Sequence, residues 1–189
     1  MLTGIIMASG LSRRMNGHNK LLMKIDGKYI FEHSMDSIIR SDVDKIIVVT
    51  WYDEIIDFCK KNDVLFVQNN FPEAGQSESI KLGIKNCDAE SDFMFFVADQ
   101  PFLKTDTINF LIKKYHQNKQ KIIIPKNKNT LGNPRIFPKS MREEFLSLTG
   151  DVRGFWIIKK HPELVKYINI QDDVSFRDID TLEDYKNLV

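Results

Sequence analysis

The sequence predicts an α/β fold, with helices on both faces of a mostly parallel central sheet, in a single domain over residues 1–189. Over residues 1–125, short apolar runs typical of buried strands alternate with longer segments of helical periodicity. This alternation favours parallel strands joined by covering helices, which is a three-layer sandwich. A chain of 189 residues, 42% hydrophobic and 28% charged, can bury one substantial core, and it contains no repeat, low-complexity segment or linker.

The strands are predicted where apolar residues follow one another without interruption, because a strand of a covered parallel sheet is buried on both faces. The most hydrophobic of these runs, 93–98, ends abruptly at Asp99, Gln100 and Pro101. The predicted strands, in chain order, are 4–7, 45–50, 64–67, 93–98, 121–125, 134–137 and 164–170.

The helices are predicted where apolar residues recur at spacings of three and four. Asp53 and Ser77 stand where two of these helices begin, and we predict that each is an N-cap. The predicted helices are 29–39, one that begins near Asp53, 77–86, 105–119, 140–148, 155–160 and a closing helix that ends at Val189.

The composition excludes several classes of protein. The formal net charge is +1, so no broad basic face is expected and nucleic acid is not a predicted partner. Cys59 and Cys87 form no metal-binding motif, and the four histidines share no spacing typical of a site. No apolar run approaches the ~20 residues of a membrane span and no signal peptide is visible, so we predict a cytoplasmic protein without a membrane partner.

The segment between residues 8 and 20 is predicted to bind a polyphosphate. Its small residues let the backbone approach a ligand closely, and its cations neutralise phosphate charge. Neither the P-loop pattern nor the dinucleotide fingerprint is present, so an ordinary surface loop with solvated arginines remains an alternative. The small residues are Ala8, Ser9, Gly10 and Ser12, and the cations are Arg13, Arg14 and Lys20.

Three aspartates are candidates for a magnesium site. Asp99 ends the most hydrophobic strand, at the edge of the sheet where ligands of α/β proteins bind. Asp178 and Asp180 stand between the last predicted strand and the last helix. Carboxylates from two distant segments beside a polyphosphate would complete a Mg²⁺–triphosphate site. The competing interpretations are a turn or capping role for Asp99 and a helix cap at Asp180 or Thr181.

Several short segments of the chain, in their order along the sequence, resemble the signature of the molybdenum-cofactor nucleotidylyltransferases. Proteins of that family have a glycosyltransferase-A-like fold. The resemblance spans nearly the whole chain and implies the nucleotide-diphospho-sugar transferase fold, which is Rossmann-like. It also implies Mg²⁺ as the cofactor. The matching segments are 8–15 with Lys20, Asn69 with 75–80, 99–101, 132–134, 150–151 and 178–184.

The resemblance also implies roles for individual residues. Arg14, Lys20 and Asp99 are the implied catalytic residues, whereas Arg13 does not match a basic position of the family. Asp99 and Asp180 are the implied Mg²⁺ ligands. The implied acceptor-binding residues are Gly132, Asn133, Pro134 and Asp151. The implied nucleotide-binding residues are Ala8, Ser9, Gly10, Leu11, Ser12, Arg14, Lys20, Asn69, Gly75, Ser77 and Ser79.

The implied reaction is nucleotidyl transfer to molybdopterin, in which a phosphate oxygen of the acceptor attacks the α-phosphorus and pyrophosphate leaves. In the family, alanine before the loop glycine accompanies cytidylyl transfer, and glycine there accompanies guanylyl transfer. Ser9 occupies this position and carries a Cβ atom, which favours CTP, although its hydroxyl offers a different contact to the base.

This chain departs from the family's cytidylyltransferases mainly on the acceptor side. Asn133 stands where those proteins have the histidine of Gly-His-Pro, so a hydrogen-bond donor is kept but no titratable ring. After Asp151 the family has glycine and then arginine, whereas the order here is Val152, Arg153, Gly154. In the first loop, Asn16 replaces a common glycine.

The predicted function is therefore Mg²⁺-dependent cytidylyl transfer from CTP to molybdopterin, with a molybdoenzyme as a candidate recipient of the product. Three alternatives remain open: guanylyl transfer from GTP, cytidylyl or uridylyl transfer to a sugar or alcohol phosphate, and a non-catalytic carrier of the cofactor. The set of Arg14, Lys20, Asp99 and Asp180 argues against a carrier, because a carrier needs no triphosphate–metal site.

Overall fold

Ten strands and seven α-helices lie in the part of the chain that the computed structural model describes, which is residues 1–12, 15, 18–128, 130–150, 154–172, 175–176, 179 and 181–186. The strands are β1 (Leu2–Ala8), β2 (Lys24–Ile25), β3 (Lys28–Tyr29), β4 (Lys45–Thr50), β5 (Leu65–Gln68), β6 (Asp92–Val97), β7 (Ile122–Asn127), β8 (Thr130–Leu131), β9 (Arg135–Phe137) and β10 (Val165–Asn169). The helices are α1 (Ile30–Ile39), α2 (Asp53–Lys61), α3 (Gln76–Lys85), α4 (Thr105–His116), α5 (Arg142–Leu146), α6 (Phe155–Lys160) and α7 (Leu182–Lys186).

The central sheet has the strand order β10-β7-β9-β6-β1-β4-β5, and β8 pairs with β7 at its side. Strand β1 is parallel to both of its neighbours, with Ile5 opposite Ile47 on one side and Phe95 on the other. The pairs β4–β5 and β7–β10 are also parallel, whereas β9 is antiparallel to β6 and β7. The carboxyl ends of β1, β4, β5 and β6 therefore meet at one edge of the sheet, and the loops that follow them lie together.

Helices cover both faces of this sheet, which confirms the predicted α/β class and its three layers. The neighbouring β1 residues Ile5 and Ile6 are both fully buried but belong to different clusters, since successive side chains of a strand point to opposite faces. On the face of Ile6 the covering helices are α1, α2 and α4, which contribute Phe31, Ile55 and Leu111 among others. On the face of Ile5 they are α3, α5 and α6, which contribute Ile80, Phe145 and Ile157 among others.

Two predicted helix caps are wrong. Helix α3 begins at Gln76, and its N-cap is Gly75, whose φ of 94° lies in the region that favours glycine. Ser77 is therefore inside the first turn, where its hydroxyl donates a hydrogen bond to the carbonyl oxygen of Gly150 instead of capping the helix. Asp53 is the first residue of α2, and Tyr52 occupies the N-cap position without a side-chain capping bond.

The two cysteines are structural. Cys59 and Cys87 are free buried thiols, and burial raises the pKa of each to about 11. Neither is therefore expected to form a thiolate near neutral pH. Within the described ranges, no helix has both the length and the hydropathy needed to cross a membrane.

Candidate functional site

A cavity of about 860 Å³ opens at the carboxyl edge of the sheet. One side of it, which we call the triphosphate wall, is the loop 9–12 that follows β1. Another part of its lining, which we call the aromatic wall, is formed by Phe95, Phe137, Phe145 and Phe155. Asp99 and Lys20 also line the cavity, together with the first turn of α3.

The triphosphate wall is fastened to the end of β4 by side-chain hydrogen bonds. The Ser9 hydroxyl donates to the carbonyl oxygen of Val49 at 3.0 Å, and the Thr50 hydroxyl donates to that of Ala8 at 3.0 Å. Ser9 is buried, so its hydroxyl is engaged with β4. Ser9 also lines the cavity, where its Cβ atom and the acceptor lone pairs of its hydroxyl are the two features that bear on the choice of base.

The backbone of this wall presents hydrogen-bond donors that the rest of the described chain does not use. No hydrogen bond within the described residues engages the N–H groups of Gly10, Leu11 or Ser12. Ser12 has a φ of 48°, and its hydroxyl accepts a hydrogen bond from the N–H of Lys20 at 3.1 Å. Successive N–H groups that end in a left-handed residue form a concave site for an anion, which is what a triphosphate requires.

The charged centre of the cavity is an ion pair between Lys20 Nζ and Asp99 Oδ2, with side chains 15% and 16% exposed. The other carboxylate oxygen, Asp99 Oδ1, is buried and has no hydrogen-bond partner among the residues that the structure describes. The carbonyl oxygen of Asp99 accepts a hydrogen bond at 3.3 Å from the N–H of Ile179, the residue between Asp178 and Asp180 in the sequence. This contact places Ile179 beside Asp99, two residues after the end of β6.

The donor set of Asp99 fits a hard divalent cation, because a buried carboxylate oxygen that lacks a partner is a suitable ligand for Mg²⁺. Among the described residues, no group of three His, Cys, Asp or Glu side chains is placed to hold a metal ion. Asp180, the second predicted ligand, and Asp178 lie outside the described residues. Arg14 and Asp151 also lie outside them.

The predicted base and ribose residues occupy two different positions. Gly75 and Ser79 line the cavity. Asn69 is buried behind it, where its amide nitrogen donates to the Ser79 hydroxyl at 3.0 Å and its amide oxygen accepts from the N–H of Phe71 at 3.0 Å. Asn69 therefore fixes the loop between β5 and α3, and Ser77 joins the start of α3 to the loop at Gly150.

The aromatic wall was not predicted from the sequence. The ring of Phe145, on α5, lies with its centroid 5.0 Å from those of both Phe95 and Phe137. Arg135, which pairs with Phe95 across β6 and β9, also lines the cavity, and its Nε donates to the carbonyl oxygen of Gly132 at 3.1 Å. The signal that points to Arg135 is its position directly after the predicted acceptor motif.

The structure brings most of the predicted site residues to this cavity. Those that line it are Ser9, Gly10, Leu11, Ser12, Lys20, Gly75, Ser79, Asp99 and Asn133. Those buried behind the lining are Ala8, Asn69, Ser77, Gly132 and Pro134.

Comparisons with known proteins identify the family of the chain. The model of the MobA-like NTP transferase domain matches residues 4–165. A probable molybdenum cofactor guanylyltransferase of Natranaerobius thermophilus is 32% identical over 127 residues, which are 66% of this chain and 60% of that protein, so the match spans less than two thirds of that relative. The protein of the same name from Methanosarcina mazei is 23% identical over 211 residues, covering 99% of this chain and 89% of its own.

A solved structure gives the fold. A nucleotidyl transferase from Methanothermobacter thermautotroptrophicus superposes with a TM-score of 0.84 at 19% identity, over 99% of this chain and 95% of that one. The fold is thus that of the nucleotide-diphospho-sugar transferases, as the resemblance implied. With a family model that matches residues 4–165, the chain belongs to the MobA-like NTP transferase domain family.

Proposed function

We propose that the protein is a nucleotidyltransferase that joins a nucleoside monophosphate to a molybdopterin-type cofactor and releases pyrophosphate. The observation that carries the proposal is one cavity in which the unused N–H groups of the triphosphate wall lie with the Lys20–Asp99 pair and its unpartnered oxygen. The choice of acceptor is supported by the names of the relatives from N. thermophilus and M. mazei.

In the proposed reaction, an acceptor phosphate oxygen forms a bond to the α-phosphorus while the bond to the bridging oxygen breaks, and pyrophosphate takes the electron pair. The N–H groups of Gly10, Leu11 and Ser12 hold the triphosphate oxygens, and the Lys20 ammonium neutralises charge on the leaving group. Asp99 would hold Mg²⁺, and when bound this ion supplies further charge neutralisation on the phosphates. Arg14 is proposed as a second cation on the phosphates. No covalent protein group is needed, because in-line transfer depends on positioning and electrostatics.

We propose GTP as the nucleotide, since both relatives are named guanylyltransferases. CTP is the second candidate, because Ser9 carries a Cβ atom, as does the alanine that accompanies cytidylyl transfer in the family. The hydroxyl of Ser9 donates its proton to the carbonyl oxygen of Val49, so toward either base it can act only as a hydrogen-bond acceptor.

The experiment that tests the reaction is to incubate the protein with Mg²⁺, metal-loaded molybdopterin and one nucleotide at a time, and to measure pyrophosphate. Pyrophosphate release with GTP supports guanylyl transfer. Pyrophosphate release with CTP alone would instead support the cytidylyl transfer that Ser9 predicts. Tight binding of the cofactor without pyrophosphate release from any nucleotide would contradict the proposal and favour a carrier.

A matched pair of variants at Ser9 tests the choice of base. Ser9→Gly removes the Cβ atom, whereas Ser9→Ala keeps the Cβ and loses only the bond to Val49. If the Cβ decides the base, Ser9→Gly should change the ratio of GTP to CTP use by roughly 10-fold or more, a scale typical of one carbon in a pocket, and Ser9→Ala should leave the ratio unchanged. Equal ratios in all three proteins would show that the base is selected elsewhere.

A further inference from the structure

A tyrosine outside the cavity holds the middle of the triphosphate wall. The hydroxyl of Tyr52 donates a hydrogen bond of 2.6 Å to the carbonyl oxygen of Gly10. Tyr52 follows β4 by two residues and is not one of the residues that line the cavity, whereas Gly10 and Leu11 are. The ring of Tyr52 lies against that of Trp51, with the centroids 4.5 Å apart. This ring contact also restrains the Tyr52 side chain.

This bond sets the direction of a neighbouring donor. In a trans peptide unit, the carbonyl of one residue and the N–H of the next point in opposite directions. When the Gly10 carbonyl is held by Tyr52, the N–H of Leu11 is turned away from Tyr52, toward the side on which the loop lines the cavity. That N–H takes part in no hydrogen bond within the described residues.

The same strand end fixes the two residues before Gly10. Thr50 donates to the Ala8 carbonyl and also accepts a hydrogen bond from the N–H of Tyr52 at 3.1 Å. Together with the bond from Ser9 to β4, these contacts attach three successive residues of the loop to the segment 49–52. A loop attached in this way loses little conformational entropy when it binds a ligand.

We propose that Tyr52 is a positioning residue for the triphosphate: by holding the Gly10 carbonyl, it orients the Leu11 N–H to donate to a phosphate oxygen. This inference rests on the proposed nucleotidyl transfer and deepens it. Burial raises the pKa of Tyr52 above its usual value of 10.0, so the hydroxyl remains a donor throughout the neutral range.

The test is Tyr52→Phe, which removes the hydroxyl and keeps the ring. Calorimetric titration with inorganic triphosphate and Mg²⁺ should give an affinity roughly 2- to 10-fold weaker than wild type, the range for one net hydrogen bond. The KM for the nucleotide should rise by the same factor, because the defect lies in the phosphate loop, and the KM for the acceptor should not change.

A control separates positioning from simple support of the fold. The Ser41 hydroxyl donates to the Ile38 carbonyl at 2.6 Å, near the end of α1 and before β4 begins. Ser41→Ala removes the same kind of bond, and it should lower Tm about as much as Tyr52→Phe while triphosphate affinity stays at the wild-type value.

The outcomes are distinguishable. Wild-type triphosphate affinity in Tyr52→Phe would overturn the inference while leaving the proposed function intact. Weaker nucleotide use with unchanged inorganic triphosphate affinity would also overturn it, since the effect would then come from the base or ribose. A wild-type protein that binds no triphosphate and releases no pyrophosphate would overturn the proposed function and this inference together.

Discussion

The two walls of the cavity are built by different physical means. The triphosphate wall is a short loop in which Ser9, Gly10 and Ser12 are small, and hydrogen bonds to the end of β4 hold it in place. The aromatic wall consists of large side chains from β6, β9, α5 and α6, and ring packing holds most of it in place. One wall therefore depends on a few directed bonds, and the other depends on the shape of a shared core.

This difference predicts how each wall responds to mutation. Directed bonds can be removed singly with little effect on the fold, because the loop is short and lies at the edge of the sheet. Packed rings are shared between the cavity and the core, so most changes there alter stability as well as binding. Measuring both the stability and the kinetic parameters of each variant should therefore distinguish the two walls.

The largest expected effect is at Asp99, which lines the same cavity as the two walls. Asp99→Asn keeps the shape but removes the charge that pairs with Lys20 and that would hold Mg²⁺. Turnover should fall by at least about 100-fold, a scale typical of losing one electrostatic group at a reacting phosphate, as measured by pyrophosphate release.

The matched control for this variant is Asp36→Asn. Asp36 forms an ion pair with Lys28 at 2.8 Å on the protein surface, so the substitution breaks the same kind of pair away from the cavity. Its turnover should equal that of wild type, because exposed pairs contribute little. Near-normal turnover in Asp99→Asn would remove Asp99 from the proposed mechanism.

The sequence predicted the triphosphate wall because that wall is continuous in the chain. Residues 8–12 follow one strand directly, and their small size and the nearby cations indicate phosphate binding without knowledge of the fold. The parallel core was predictable for a similar reason, since apolar runs and helical spacing are local patterns. Asp99 was found because a charge ends the most hydrophobic run of the chain.

The aromatic wall could not be predicted because its members meet only after folding. Phe95, Phe137 and Phe155 come from three separate segments, and each is an ordinary apolar residue in its own segment. Their meeting depends on β9, which inserts antiparallel between β6 and β7. The local pattern predicted a strand over 134–137 but contained no information on that pairing or its direction.

Two glycines give the next largest effect: Gly10, in the triphosphate wall, and Gly132, in the predicted acceptor motif. A Cβ atom on Gly132 would lie 2.6 Å from a ring carbon of Phe176, whereas a Cβ on Gly10 would meet nothing within 4 Å. Gly132→Ala should therefore lower the free energy of unfolding by about 1–3 kcal/mol, as overpacking does, and Gly10→Ala should change it by less than about 0.5 kcal/mol. Urea titration of both variants measures this, and equal losses would contradict the contrast between the walls.

A smaller effect is expected at Phe155, the most exposed member of the aromatic wall. It is 42% exposed and lines the cavity at the start of α6. Phe155→Ala should raise the KM for the acceptor by roughly 2- to 10-fold, the value of one aromatic contact, and leave the KM for the nucleotide unchanged. Trp156→Ala is the control, because Trp156 is 49% exposed and does not line the cavity. A rise in nucleotide KM instead would assign Phe155 to the other substrate.

The smallest expected effect is on the stability of the contact between α5 and α6, two of the helices that contribute to the aromatic wall. Glu144 on α5 accepts a hydrogen bond from Lys160 Nζ at 2.8 Å, and its other oxygen lies 2.8 Å from His161 Nε2, just after α6. The bond from Lys160, followed by that from His161, holds the pKa of Glu144 below its usual value of 4.5. Stability from this carboxylate is therefore fully present above pH 4.5 and is lost as the pH falls through the lower folded value.

Glu144→Gln should cost roughly 0.2–1 kcal/mol at neutral pH, since the group is partly exposed and screened by solvent. The difference from wild type should shrink toward zero as the pH falls through the lowered pKa of Glu144, because Glu144 itself then becomes neutral. Glu143→Gln, in the same turn and exposed, is the control and should show a smaller difference. A difference between wild type and Glu144→Gln that persists at low pH would show that the α5–α6 contact is held by packing, as the rest of the aromatic wall is, and not by these charges.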